Sequence, residues 1–253
     1  MIRFPRYVRL TLPRLWIRDT IYFGKKSMIV GGSTMLRVSA VMEARRNNQP
    51  LVSWSAILIK ALALTSKKWP ELRRSYIAFP WPHLYEHPHC VATVVIEREW
   101  QGAYCVFADQ IPAPETKSLQ ELDLRLGGMK TLPIEAVGSF RRLIRITRLP
   151  LPLRRLIWLI ALRGSGRLKS RYFGTFSINS LNSRHARTTQ SASPISLSFQ
   201  YAPIQPSGDM PFQIFIDHRV MDGVTAHRLC TDLQTILDSD IVDELNAPLS
   251  KTA

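Results

Sequence analysis

The stretch that most constrains the fold lies near the C-terminus: PFQIFIDHRVMDGVTAHRLCTDLQTIL, residues 211–237. Its first part alternates only weakly between apolar and polar residues, so it reads as a strand buried on both faces. Its last part sets Ala226, Leu229, Cys230, Leu233, Ile236 and Leu237 on one face of a helix. Between the two, Asp217, His218, Arg219, Asp222 and Gly223 crowd into seven residues. Charged and titratable groups at a strand end are costly to bury and unnecessary for packing. The turn is therefore either solvated or a delivery of side chains to chemistry.

The rest of the chain mixes the two periodicities. MLRVSAVMEARRNN reads as helical. VSWSAILIKALALTSKKWPEL repeats Trp54, Ile57, Leu58, Ala61, Leu62 and Thr65 at helical spacing, with Ser53 as N-cap and Trp69-Pro70 as the stop. CVATVVIE and GAYCVFA, separated by REWQ, predict a hairpin. SLQELDLRLGGM predicts a short helix closed by its two glycines. YFGTFSIN, PISLSFQYA and PFQIFID return to strand patterns. This order argues for an α/β or α+β fold with a mixed sheet, and no internal repeat of about 20–50 residues is visible.

Composition narrows the class. The chain has 253 residues, 45% of them hydrophobic, which suffices for a substantial core. Its formal net charge of +15 predicts attraction to anions: nucleic acid, an acidic membrane, a phosphate-bearing ligand or an acidic carrier protein. No recognisable nucleic-acid-binding module is present, so no nucleic-acid partner is expected. Three scattered cysteines, Cys90, Cys105 and Cys230, fit neither a disulfide framework nor a zinc spacing and indicate a reducing compartment. The basic N-terminus lacks the features of a signal peptide, and no stretch approaches the about 20 apolar residues of a membrane span. The expected location is cytoplasmic. HLYEHPHC, with His83, His87, His89 and Cys90, offers zinc-type ligands, but the adjoining Pro82 and Pro88 favour a surface or oligomer-contact loop, and no metal is expected.

Residues 138–173 stand apart, with ten Lys or Arg and no Asp or Glu. Within them LPLPLRRLIWLIALRG looks like an interfacial amphipathic element, with arginines for anionic headgroups and Trp158 and leucines for the acyl boundary. Peripheral membrane or lipid contact through this segment is weighed against a core-packing helix with solvated arginines.

A histidine just past a buried strand can be partly desolvated, which favours neutral imidazole and a general-base role for His218. Asp217, Arg219 and Asp222 would hold the turn by ion pairing, and Gly223 would relieve crowding where the helix begins. The plainer reading makes Asp222 the helix N-cap and Arg219 a solvated surface residue.

DHRVMDG followed by an amphipathic helix resembles the active-site signature of the acyltransferase catalytic domain of 2-oxo acid dehydrogenase complexes, whose fold is that of chloramphenicol acetyltransferase. The helix ending in PEL, the hairpin CVATVVIEREWQGAYCVFADQ with KSLQEL after it, and GTFSINSL are similar to family segments in the same order. The resemblance covers most of residues 35–240. It implies a chloramphenicol acetyltransferase-like two-layer α/β sandwich, a mixed sheet covered by helices, over residues 31–246. A basic N-terminal segment (1–30) precedes it and a tail (247–253) follows. It implies His218 as general base and Asp222 as a structural carboxylate paired to an arginine, for which Arg18, Arg37 and Arg219 are candidates. The family's oxyanion-stabilising serine falls on Asn179, whose amide can also donate; Ser177 shares its strand face and Ser180 points the other way. The resemblance further implies a homotrimer in which His218 of one chain meets Asn179 of the next. No lipoyl-lysine hairpin is visible, so the expected acyl donor is a thioester of coenzyme A or of an acyl carrier protein, with no covalently bound cofactor. The alternative is a catalytically inactive relative serving as a scaffold or membrane-surface partner.

Overall fold

The computed structural model describes residues 10–25, 27–47, 50–181 and 193–247. Most of the 1–30 segment is included; of the 247–253 tail, all but Ala247 lies outside the described residues. The described strands are β1 (Ile29–Arg37), β2 (Arg74–Ile77), β3 (His83–Glu86), β4 (Val91–Trp100), β5 (Ala103–Pro112), β6 (Phe176–Ser180), β7 (Leu197–Tyr201) and β8 (Asp209–Asp217). Six form one sheet in the order β1-β8-β7-β6-β4-β5, and β2 and β3 make a separate ribbon. β6 runs parallel to β4 and β7, and the other pairings are antiparallel, so the sheet is mixed.

The helices are α1 (Leu12–Gly24), α2 (Ser39–Arg46), α3 (Trp54–Thr65), α4 (Leu119–Thr131), α5 (Gly138–Arg148), α6 (Leu151–Leu159), α7 (Gly166–Phe173), α8 (Gly223–Ile236) and α9 (Val242–Asn246). Alternate strand residues decide which face they serve. Ala92, Val94 and Ile96 of β4, Phe176 and Ile178 of β6, and Leu197 and Phe199 of β7 join α2, α3, α4 and α8 in one apolar core. α3 lies at its centre, which is why Ile57, Leu58, Ile59 and Leu62 are all fully buried. Sheet and helices on this side form the expected two-layer sandwich.

Local signals held where the chain has short-range reasons. The Ser53 hydroxyl caps α3 by accepting from Ala56 N at 3.4 Å. Ser118 and Glu121 cap α4 reciprocally, the hydroxyl accepting from Glu121 N and the carboxylate from Ser118 N. The hairpin forms, but its strands extend to a two-residue Gln101-Gly102 turn with φ of 52° and 73°, a left-handed pair that matches strand twist.

Three expectations are corrected. Met35, Leu36 and Arg37 belong to β1 rather than to a helix, because β1 pairs with β8 over nine positions, from Ile29↔Asp217 to Arg37↔Asp209. Gly127 and Gly128 lie inside α4 instead of closing it. The cap and the buried Leu122, Leu126 and Met129 outweigh the glycine cost of about 1 kcal/mol each, and the helix stops before Pro133. Trp158 is interior, 3% exposed; it packs on Trp16 at 4.7 Å, Phe173 at 5.0 Å and Phe23 at 5.5 Å between ring centroids. The phase of α6 turns Arg154 and Trp158 inward and leaves Leu153, Leu156, Leu159 and Ile160 outside. Buried Asp19 of α1 forms an ion pair with buried Arg154 of α6, whose Nη1 also donates to Thr147 O at 2.9 Å. These contacts hold α1, α5, α6 and α7 over the second face of the sheet.

Candidate active site

The turn after β8 is locked by its own charges. Arg219 Nε donates to Asp217 Oδ1 at 2.8 Å and Nη2 to Oδ2 at 2.6 Å, a bidentate pair. Asp217 Oδ1 also accepts from Arg219 N at 3.1 Å. The guanidinium lies 4.2 Å over the Tyr76 ring. Asp217 is 1% exposed, so the strand carries its carboxylate inward and the intervening residue outward. That residue is His218, tied by its backbone N–H to Met28 O at 2.9 Å. Its side chain is exposed in the single chain, and the buried register stops at Asp217.

Asp222 caps α8, accepting from Thr225 N at 2.8 Å, and this bond holds its carboxyl below the usual carboxylate range. Among the described residues no arginine is bridged to it. Arg219 belongs to Asp217, Arg18 lies 3.9 Å from Asp19, and the backbone of Arg37 is held by the Gln234 amide. The N-cap reading of Asp222 therefore describes the single chain, and Gly223 opens the helix as its first residue, exposed to solvent.

Sequence reasoning missed Lys169. This α7 residue is 5% exposed, and its ammonium donates to Tyr76 O at 3.2 Å behind the Asp217–Arg219 pair. Burial pushes its pKa down to about 8, with the Asp217 charge opposing the shift and Arg219 adding to it. Nothing local separates Lys169 from the other nine basic residues of 138–173; only the packing of α7 on β2 does.

Asn179 occupies the second face of the sheet. It lines a cavity of about 790 Å³ together with Ser177, Ser198, Gln200, Thr93 and Val95 below and residues of α1, α5, α6 and α7 above. Ser177 and Ser198 satisfy each other at 2.8 Å, so the Ser177 hydroxyl is already engaged. Ser180 bonds instead to Tyr201, which packs against the opposite, apolar core. Gly174, at φ 81°, precedes β6; a Cβ there would stand 2.2 Å from Thr93 Oγ1, so only glycine lets β6 approach β4 this closely.

Register separates the two proposed reacting groups. Asn179, Gln200 and Gln213 are neighbours across β6, β7 and β8. His218 lies five residues beyond Gln213, about 17 Å along the strand direction and two strand spacings, about 10 Å, to the side. One chain does not bring His218 to Asn179.

The remaining candidates are occupied elsewhere. His83 Nδ1 and His87 Nδ1 lie at 2.7 and 2.6 Å from backbone carbonyls, and His89 lies 3.6 Å from Glu115. Among the described residues no group of three metal-type side chains stands together. Cys90 and Cys230 are free thiols, pushed by burial up to about 12 and about 11, which removes them as nucleophiles.

The same architecture occurs in solved structures. A dihydrolipoamide acetyltransferase of Azotobacter vinelandii matches with a TM-score of 0.66 and 16% identity, over 93% of this chain and 92% of that one. The catalytic mechanism of that enzyme was investigated through a serine, a histidine and an asparagine four residues past the histidine. A truncated catalytic core of the 2-oxoacid dehydrogenase multienzyme complex of Thermoplasma acidophilum matches with a TM-score of 0.66 and 15% identity, over 93% and 99% of the two chains. A chloramphenicol acetyltransferase matches with a TM-score of 0.52 and 13% identity, over 87% and 94%. No protein-family model and no curated protein matches the chain. The likeness establishes the fold: a chloramphenicol acetyltransferase-like mixed sheet covered by helices.

Proposed function

We propose that the protein is an acyltransferase that moves an acyl group from a thioester of coenzyme A or an acyl carrier protein to a hydroxyl, thiol or amine. The observation that carries this is the pairing of an outward His218, fixed by Asp217 and Arg219, with an Asn179 that lines a cavity too far away to reach it within one chain. A second copy supplies the missing neighbour. Met28 (69% exposed), Val30 (45%) and Val224 (63%) surround the histidine's turn as an uncovered apolar rim, and β1 is an open sheet edge. Both features suit a homotrimer with His218 and Asn179 meeting between chains.

In the reaction His218 takes the acceptor's proton. The acceptor atom bonds to the thioester carbon, and the carbonyl electron pair moves onto oxygen. The Asn179 amide donates to that oxyanion; one such donor contributes about 2.7–4 kcal/mol. Collapse breaks the C–S bond, and the leaving thiolate recovers the proton from imidazolium. Lys169 and Tyr76 position the turn through Asp217 and Arg219. The net charge of +15 attracts polyanionic coenzyme A or an acidic carrier.

The outer face of α6 and the turn after it, with Leu153 (52% exposed), Leu156 (50%) and Ile160 (51%), supports peripheral contact with an anionic lipid surface. No described helix is long and apolar enough to cross a membrane. Pelleting with anionic vesicles should be lost in Leu153→Glu/Leu156→Glu.

The deciding experiment follows thiol release from a panel of acyl-coenzyme A and acyl-carrier-protein thioesters. His218→Ala should slow release by about 10²–10⁴-fold and Asn179→Ala by about 10²–10³-fold. Reassembling the two inactive variants together should restore part of the activity, since mixed trimers contain intact interfaces. Release that ignores His218 would overturn its role as the base, and no release from any donor would support the inactive-scaffold alternative; no recovery on mixing would overturn the between-chain site.

A further inference from the structure

The cavity beside Asn179 is larger than acetyl transfer needs. Its volume of about 790 Å³ lies high in the range of about 300–1,000 Å³ typical of small-molecule sites. The space stays open between the sheet and the helices that stand over it, where the other face of the same sheet is closely packed. Its floor runs from Asn179, one residue past the last β4–β6 pair (Val94↔Ile178), to Val95 of β4 and its β5 partner Ala108. That is two strand spacings, about 10 Å. Its lining is mainly apolar, Phe107, Ile146, Ile157 and Ala161 among it, with Gln110 of β5 and Ser139 and Arg142 of α5 as polar groups.

The roof is held in place by design of the sequence. The Asp19–Arg154 ion pair is buried on both sides, a tie whose desolvation cost offsets much of its attraction. The Trp16–Trp158–Phe173 ring cluster fixes α1, α6 and α7 against one another. In α6 and the turn that continues it, Ile157 and Ala161 face the chamber, and Leu153, Leu156 and Ile160 are exposed.

We propose that this cavity is a chain-binding chamber, taking a medium- or long-chain alkyl group that extends from Asn179 across β4 and β5 beneath α1, α5 and α6. The proposal rests on the acyltransferase reading and names its substrate class. The alkyl group belongs either to the acyl thioester or to the acceptor; both present the same chemistry to the chamber.

The test is equilibrium binding to the intact assembly by calorimetry, below micelle-forming concentrations. One arm uses S-acyl pantetheines of increasing chain length, from acetyl upward; the other uses 1-O-alkyl glycerols. Burial of methylenes predicts affinity rising by up to roughly fourfold for each one added, until the chamber is full. A rise in the first arm assigns the chain to the acyl donor, in the second to the acceptor. Ala161→Trp from the roof and Val95→Phe from the floor should each flatten the rise. Two elements are probed so that one misfolded variant does not decide the matter. Affinity independent of chain length in both arms overturns the proposal, as does a rise that survives both variants when they unfold at the wild-type temperature. Chain-dependent binding without His218-dependent transfer would sink the acyltransferase reading and keep the chamber. His218-dependent acetyl transfer without chain dependence would do the reverse.

Discussion

The two faces of the central sheet are made by alternate residues of the same strands and are put to opposite uses. On β6, Phe176 and Ile178 enter the dense core, while Ser177 and Asn179 face the cavity. On β7, Leu197 and Phe199 do the first, Ser198 and Gln200 the second. The dense face packs aromatic rings, Phe176 edge-on to Phe199 at 5.9 Å and Phe199 stacked on Phe212 at 5.6 Å, against a helix with almost no exposed side chain. The hollow face keeps hydroxyls and amides, and its helices stand off, pinned by one buried ion pair and a ring cluster. A period of two lets one strand hold the fold with one set of side chains and leave the other set free for a ligand.

The comparison breaks first at its core. Phe199→Ala should cost about 3–5 kcal/mol by chemical denaturation; a cost below that of a surface substitution would deny that this face carries the stability. Asp19→Ala should cost about 3–5 kcal/mol by stranding Arg154, whereas Asp19→Leu/Arg154→Met should return close to wild type. An equal loss in the double variant would mean that the tie itself, and not the orphaned charge, stabilises the roof.

Lys169 gives a pH signature of somewhat smaller size. Its folded pKa of about 8 lies below the unfolded value of about 10.4. Between the two the unfolded chain binds more protons, so stability rises with pH through that window and the buried charge is a burden below it. Measured against Lys169→Met, which does not titrate there, wild-type stability should gain on the order of 3 kcal/mol from pH 7 to pH 11. A flat difference would show that the ammonium is not desolvated. Smallest of all, Ser198→Ala on the hollow face should change stability by no more than about 1 kcal/mol, the scale of one lost hydrogen bond to Ser177; a loss like that of Phe199→Ala would erase the distinction between the faces.

Much of this contrast was legible in the chain. The weak alternation of FQIFI marked a buried strand, the cap at Ser53 follows from its place just before a helical repeat, and GTFSINSL set Asn179 and Ser177 on one face with Ser180 opposite. These are local properties, decided by periodicity and near neighbours. The partner of Arg219 was not legible. Asp222 sits at a helix start and Asp217 at a strand end, and both looked available until the turn's conformation chose Asp217. Met35–Arg37 had a helical pattern that long-range pairing with β8 overrode.

The sequence by itself determined the order and type of most elements, the turn that carries His218 and the face that carries Asn179, because these rest on spacing along the chain. Only the tertiary structure decided that Trp158 points inward, that Lys169 is buried behind the Asp217–Arg219 pair, and that a cavity of about 790 Å³ opens beside Asn179. Spacing defines which side chains share a face; what covers that face, and how far away, depends on elements distant in sequence and on the packing that brings them together.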